Sequence, residues 1–192
     1  MADIERSVVE GLRLGEEQAY LAVVERLLGP LHRFLLRLCR DPGVAEDLAQ
    51  ETFVAVWQGI GSYRGRSRFT TWVFGIAYRQ YLRHRDRRSV DTVPLVAEHH
   101  EAAPADPATL LVEAETRRLL HQAISDLPDA CREALCLVHL EGFSYREAAQ
   151  VLGLPVGTVK SRMNAAFTLL RERLGESEVN GDELPAPECL PE

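Results

Sequence analysis

Residues 143–162 read Phe143-Ser-Tyr-Arg-Glu-Ala-Ala-Gln-Val-Leu-Gly-Leu-Pro-Val-Gly-Thr-Val-Lys-Ser-Arg162, two short helical segments about a tight turn. Ser144 and Glu147 have the spacing of a capping box, in which the hydroxyl takes the orphan amide at N3 and the carboxylate reaches back to the cap. Ala148, Ala149 and Leu152 give the first segment a thin apolar face, and Gly153 supplies the positive φ that ends it within one residue. Ala149, Gly153 and Val159 provide the small contact residue, the turn and the buried anchor of a helix-turn-helix. Thr158, Lys160, Ser161 and Arg162 crowd the start of the second segment, where side chains enter a major groove. A plain helical hairpin with a solvated basic end is the alternative. Capping box, turn glycine and basic tip together favour the DNA-reading form.

Working outward, the chain of 192 residues with 46% hydrophobic content holds two small cores. From Ile4 to about Arg88 apolar residues recur at helical spacing without an alternating run, which predicts an all-α domain over 1–88. Within it, Gln18–Leu28 and Leu31–Cys39 read as helices divided by Gly29-Pro30, and Asp41-Pro42 supplies an N-cap and an N1 proline for a third helix to about Ile60. Glycines and arginines over 61–68 make a loop before a fourth helix beginning near Phe69. Residues 89–109, with Pro94, Pro104 and Pro107, read as a flexible acidic linker. Helical periodicity resumes over 110–174, with Pro128 in the first turn of a helix and Gly142 ending it, and an acidic, disordered tail is predicted over 175–192. The fold class is therefore all-α, two helical domains joined by a linker.

The net charge of −7 runs against unaided DNA binding, but its distribution matters more than its sum. Residues 62–88 carry eight arginines against Asp86 alone, whereas 89–116 and 176–192 each carry six acids and no Lys or Arg. Such blocks suggest basic nucleic-acid surfaces and acidic segments that either repel nucleic acid or fill a basic channel elsewhere, which implies a partner protein. No membrane-spanning run occurs, and Met1–Arg6 lacks a signal-peptide pattern, so a cytoplasmic protein is expected. Cys39, Cys131, Cys136 and Cys189 form no Cys-x-x-Cys pair and read as free thiols. Cys131, Cys136 and His139 do not share one helical face and lack a fourth ligand, so no metal and no other cofactor is expected.

On the helix from Phe69, Phe69, Trp72, Val73 and Ile76 share a core side at 100° per residue. Phe74, Tyr78 and Tyr81 lie opposite with Arg85 beside them, and Arg79 and Arg83 share a flank. Aromatic and arginine side chains together suit single-stranded DNA, while packing against neighbouring helices is the preferred reading of the stripe taken alone. On the helix from Pro42, Asp47, Gln50, Glu51 and Gln58 oppose Val44, Leu48, Phe53, Val54 and Trp57. That acidic face fits a basic protein partner or plain solvation, and the pattern does not choose between them.

Three segments in this order, Ala-Glu-Asp-Leu-Ala-Gln-Glu-Thr-Phe at 45–53, Phe-Thr-Thr-Trp-Val-Phe-Gly-Ile-Ala at 69–77 and the helix-turn-helix at 143–162, resemble bacterial sigma factors of the extracytoplasmic-function (ECF) group in the sigma-70 family. The resemblance covers roughly Gln18 to Leu174, and the short linker is the mark of a group that keeps regions 2 and 4 alone. It implies that residues 45–57 dock on the clamp helices of core RNA polymerase through Asp47, Gln50, Glu51 and Phe53. It further implies that the loop at 61–68 and the following helix read and help melt the minus-10 promoter element, with Arg64, Arg66, Arg68, Arg79 and Arg83 as DNA contacts. The second domain would read the minus-35 element through Thr158, Lys160, Ser161 and Arg162 and touch the polymerase flap, and the linker would thread the RNA exit path. An anti-sigma factor is a further implied partner, and no catalytic residue is implied.

The chain departs from that pattern in two places. Asn164, Ala165, Ala166, Phe167 and Thr168 are uncharged where many relatives continue basic, which predicts fewer phosphate contacts and a shallower salt dependence. Arg79 stands where an asparagine is common, so the minus-10 base preference does not transfer. The main rival is a polymerase-independent helix-turn-helix regulator, which would need a dimer interface and palindromic sites. A small nuclease would need a carboxylate or His/Cys constellation beside the basic surface, and His84 with Asp86 is the nearest approach.

Overall fold

The computed structural model describes residues 3–88 and 118–174, and every regular element among them is helical. In chain order these are α1 (Arg6–Arg13), α2 (Glu17–Cys39), α3 (Pro42–Gly59), a 3-10 turn (Ile60–Ser62), α4 (Phe69–Arg88), α5 (118–125), α6 (Asp129–Leu135) continuing into a π-helical turn (Cys136–Leu140), α7 (Tyr145–Leu152) and α8 (Val156–Leu174). The predicted linker at 89–109 and tail at 175–192 lie outside the described residues.

The first unit is built on α2, against which α1, α3 and α4 pack. Sequence reading divided α2 at Gly29-Pro30, but one helix runs through Pro30. The reason lies in its apolar stripe. Val23, Leu27, Leu31, Phe34 and Leu35 are all fully buried, so the stripe continues in register across the proline. Tertiary burial of that stripe against α3 outweighs the ~3 kcal/mol an internal proline costs. Helix α3 starts as its sequence predicts: Asp41 Oδ1 accepts from the Val44 amide at 3.1 Å and Pro42 occupies the first turn. Asp3 Oδ1, far off in sequence, accepts from both the amide and the hydroxyl of Thr70 at 3.1 Å and so caps the start of α4.

The second unit is α5 to α8. Pro128 sits just outside α6, in the N-cap position, rather than within its first turn. Arg132, 2% exposed, clasps the α5–α6 turn by donating to the Leu127 carbonyl at 2.8 Å, the Ser125 carbonyl at 3.2 Å and the Asp129 carboxylate. The π turn closes with the Glu141 amide donating to the Cys136 carbonyl at 2.9 Å, and Gly142, φ 71°, then turns the chain. The two units are in contact, α4 lying against α7 and α2 against α6 and the π turn.

Candidate nucleic-acid interface

The helix-turn-helix forms through the local signals present in its sequence. Ser144 Oγ accepts from the Glu147 amide at 3.2 Å, and Glu147 Oε2 accepts from the Ser144 amide at 2.8 Å, completing the capping box. Burial pushes the Glu147 carboxyl up, but the bonds from Ser144 and the Arg68 guanidinium outweigh it and hold it below the usual carboxylate range. Gly153, φ 67°, ends α7, and the Leu154 amide returns to the Ala149 carbonyl at 3.0 Å. Val159, Met163, Ala166 and Leu170 are the buried face of α8. Lys160 and Ser161 are exposed on its first turns, and Thr158 is half-buried. Lys160 Nζ lies 6.0 Å from the Tyr145 ring centre, and Ser161 Oγ donates to the Thr158 carbonyl at 2.9 Å. Arg162 is half-buried, with Nη1 3.7 Å from Glu133 Oε2. The uncharged run after Arg162 has a partial structural cause: Ala166 is buried and Phe167 packs edge-on against His139, centroids 5.0 Å apart.

In the first unit the basic loop is held from behind. Tyr63 OH donates to the Ser67 carbonyl at 2.7 Å, its ring packs on Phe69 and Trp72 with centroids 5.3 Å away, and Arg13 donates to the Tyr63 carbonyl at 2.7 Å. Arg64 and Arg66 are exposed on this loop about Gly65, φ 68°. Arg68 is half-buried, 3.7 Å from Asp3 and 3.1 Å from Glu147. Arg79 and Arg83 are exposed one turn apart on α4, and partial burial followed by repulsion from Arg83 lowers the Arg79 pKa below its ordinary value. Arg64, Arg66, Arg79 and Arg83 are therefore open to solvent, while Arg68 and Arg162 already face carboxylates.

The aromatic stripe of α4 is buried. Phe74 is fully enclosed between Phe34 and Phe143, centroids 5.3 Å and 4.9 Å away, and Tyr78 and Tyr81 are 6% and 5% exposed. Burial raises both phenols, Tyr81 to about 12. Helix α4 thus buries two sides, one in its own unit and one beneath the second.

On α3, Asp47, Gln50 and Glu51 are exposed, whereas Phe53 is 4% exposed and belongs to the core. That placement corrects the expectation for Phe53, which has no surface to offer a partner. It lies five residues beyond the buried Leu48 and three before the buried Val56, on the inner side of the helix. The exposed apolar side chains nearby are Val54 and Trp57, with Trp57 set edge-on to Tyr20 at 5.2 Å.

Sequence reading missed the carboxylates of the second unit. Glu133 is 3% exposed; its Oε2 accepts from Tyr78 OH at 2.8 Å, and its Oε1 lies 3.5 Å from Arg85 Nη1. Glu141 is 5% exposed and accepts from Arg37 at 3.0 Å. No local signal marks them, because their partners are 29 to 104 residues away along the chain. Among the described residues no group of three His, Cys, Asp or Glu could hold a metal, and no helix is long and apolar enough to cross a membrane.

A capped helix-turn-helix with exposed basic and hydroxyl side chains, joined to an arginine-flanked helical unit, defines a DNA-reading protein, and comparison with known proteins narrows the class. The family model for Sigma-70 region 2 matches residues 23–90, and that for Sigma-70, region 4 matches residues 117–170. The RNA polymerase sigma-H factor of Pseudomonas aeruginosa is 34% identical over 170 residues, 83% of this chain and 88% of that protein. The ECF RNA polymerase sigma-E factor of Escherichia coli (strain K12) is 32% identical over 166 residues, 81% of this chain and 86% of that one. Among solved structures, the sigma factor RpoE in complex with the anti-sigma factor NepR from Bartonella quintana superposes with a TM-score of 0.67 at 28% identity, covering 81% of this chain and 96% of that chain. The chain belongs to the sigma-70 family of RNA polymerase sigma factors. Within that family it falls in the ECF group with its sigma-E relatives, and the polymerase-independent regulator is set aside.

Proposed function

We propose that the first unit docks on core polymerase through the α3 face of Asp47, Gln50 and Glu51, with Val54 and Trp57 as apolar neighbours and Phe53 holding the helix from beneath. Arg64, Arg66, Arg68, Arg79 and Arg83 then follow the minus-10 element, and Thr158, Lys160, Ser161 and Arg162 read the minus-35 element. The observation that carries this reading is the pair of exposed faces, the acidic one on α3 and the basic one over the 61–68 loop and α4, on opposite sequence segments of one unit. An acidic face is complementary to basic protein and a basic face to phosphate. The protein performs no covalent chemistry. Melting is differential binding: groups that hold the separated strand more tightly than the duplex shift the DNA towards the open form.

The linker at 89–109 would follow the RNA exit path, its carboxylates standing in for phosphates, and the second unit would also touch the flap. A cytoplasmic site of action accompanies this role. A solved relative is bound to an anti-sigma factor, which supports such a partner here. The test is gel filtration of the purified chain with sigma-free core polymerase. Co-elution in equal proportion is expected; separate elution, with DNA retained by the chain alone, would remove the polymerase from the account.

A further inference from the structure

The basic loop at 61–68 has an anchor at each end, and both come from the start of the chain. At the first end Arg13, the last residue of α1, donates from Nη2 to the Tyr63 carbonyl at 2.7 Å and lies over the Tyr63 ring, 6.0 Å from its centre. Glu10, one turn back, holds that guanidinium at 3.2 Å. At the far end Asp3 Oδ1 accepts from the Thr70 amide and hydroxyl at 3.1 Å, and Asp3 Oδ2 lies 3.7 Å from Arg68 Nε. The exposed Arg64 and Arg66 lie between these anchors, on either side of Gly65, φ 68°. Within the loop itself Tyr63 OH closes on the Ser67 carbonyl at 2.7 Å.

The segment that carries the anchors is itself fixed. Ile4, Val9 and Leu12 are buried, and α1 packs on α2 so closely that a Cβ at Gly11 would meet Ala19 Cβ at 3.0 Å and Glu16 Oε2 at 2.5 Å. Arg13 therefore projects from a seated helix. Asp3 to Arg13 lies ahead of residue 23, where the match to Sigma-70 region 2 begins, so the family model gives this segment no part in that region.

We propose that Asp3 and Arg13 are positioning residues for minus-10 recognition: they hold the 61–68 loop in one conformation, so that Arg64 and Arg66 meet the separated strand already ordered. The inference rests on the assignment of that loop to the minus-10 element. A loop that orders only on binding loses its backbone and side-chain freedom at that moment, and the loss is subtracted from its affinity; a loop held beforehand avoids it. Both residues act through Tyr63, Arg68 and Thr70 rather than on DNA. Base discrimination should suffer along with affinity when they are removed, because a mobile loop can offer its guanidiniums to phosphates of any sequence.

The test uses holoenzyme assembled from the full chain and core polymerase. Its probe is a fluorescent single strand spanning the minus-10 element of a promoter that the wild-type holoenzyme selects from genomic fragments. Arg13→Ala and Asp3→Ala should each weaken binding of that strand by about tenfold and reduce the preference for its bases over substituted ones. Asp3→Asn, which keeps an oxygen for Thr70, should restore most of the binding. Core association and binding of the minus-35 duplex alone should stay at the wild-type level, which a general loss of stability would not allow. An alanine variant that binds the strand as wild type does, or that loses strand, duplex and core alike, would overturn the role of that residue. Arg64→Ala and Arg66→Ala separate this inference from the reading beneath it. If they also bind the strand as wild type does, the loop is not the minus-10 reader and both fall; if they alone weaken it, only the role of Asp3 and Arg13 falls.

Discussion

Arg162 illustrates how far a single residue can be read from sequence. Its place on the first turns of a recognition helix follows from the Ser144 cap and the Gly153 turn, both local and both formed. Its pairing with Glu133 does not follow, because α6 meets α8 only through the tertiary fold. Arg162→Ala should weaken minus-35 recognition by about 1 to 3 kcal/mol in a holoenzyme binding assay, with the loss concentrated at one base position. An equal loss on every sequence would make it a phosphate contact. Glu147 has the opposite history: its cap is legible, its bond to Arg68 is not. Its folded pKa lies below the unfolded value, so its stabilisation is present above the unfolded pKa and is lost as pH falls through the folded one. Glu147→Ala should therefore cost about 1 kcal/mol in denaturant melts at pH 7. The gap should narrow as pH falls below the ordinary carboxylate range and through the lowered folded pKa. Glu133 and Glu141, both raised, carry the opposite sign and favour the packed form as pH falls, so the comparison must be between variant and wild type at each pH.

Helix type and order were legible from apolar periodicity, and Asp41, Ser144 and Gly153 marked three boundaries where side-chain chemistry sets the end. The boundary at Pro30 was misread because a local breaker was weighed without the stripe that spans it. Pro30→Ala should restore an amide donor and relieve the clash, raising stability by about 1 to 3 kcal/mol in thermal or denaturant unfolding. A fall would mean that the proline shapes a bend the packing needs. On α3 the pattern rightly set Leu48 and Phe53 opposite Asp47, Gln50 and Glu51, and it was the resemblance that gave Phe53 to the polymerase. Phe53 turns inward because the helix buries Ala45, Leu48, Ala49, Thr52, Phe53 and Val56 as one side, leaving Asp47, Gln50 and Glu51 exposed. Asp47→Arg, on an exposed position, should abolish association with core polymerase while circular dichroism and melting stay unchanged. Intact association would remove α3 as the docking face.

Across the whole molecule, two all-α units were legible, and so was the sigma-factor resemblance carried by their motifs. Their contact was not. It joins α4 to α7 and α2 to α6 through pairs such as Phe74 with Phe143, and no periodicity in either segment announces a partner so distant. The stripe of Phe74, Tyr78 and Tyr81 shows the consequence: packing was the better reading, and the second unit supplies much of the cover. The central claim is that this chain gives core polymerase its promoter choice. In vitro transcription with sigma-free core and a genomic fragment library tests it most directly. The account predicts defined start sites sharing paired minus-10 and minus-35 elements, lost with Asp47→Arg. Start sites no different from those of core alone would contradict it.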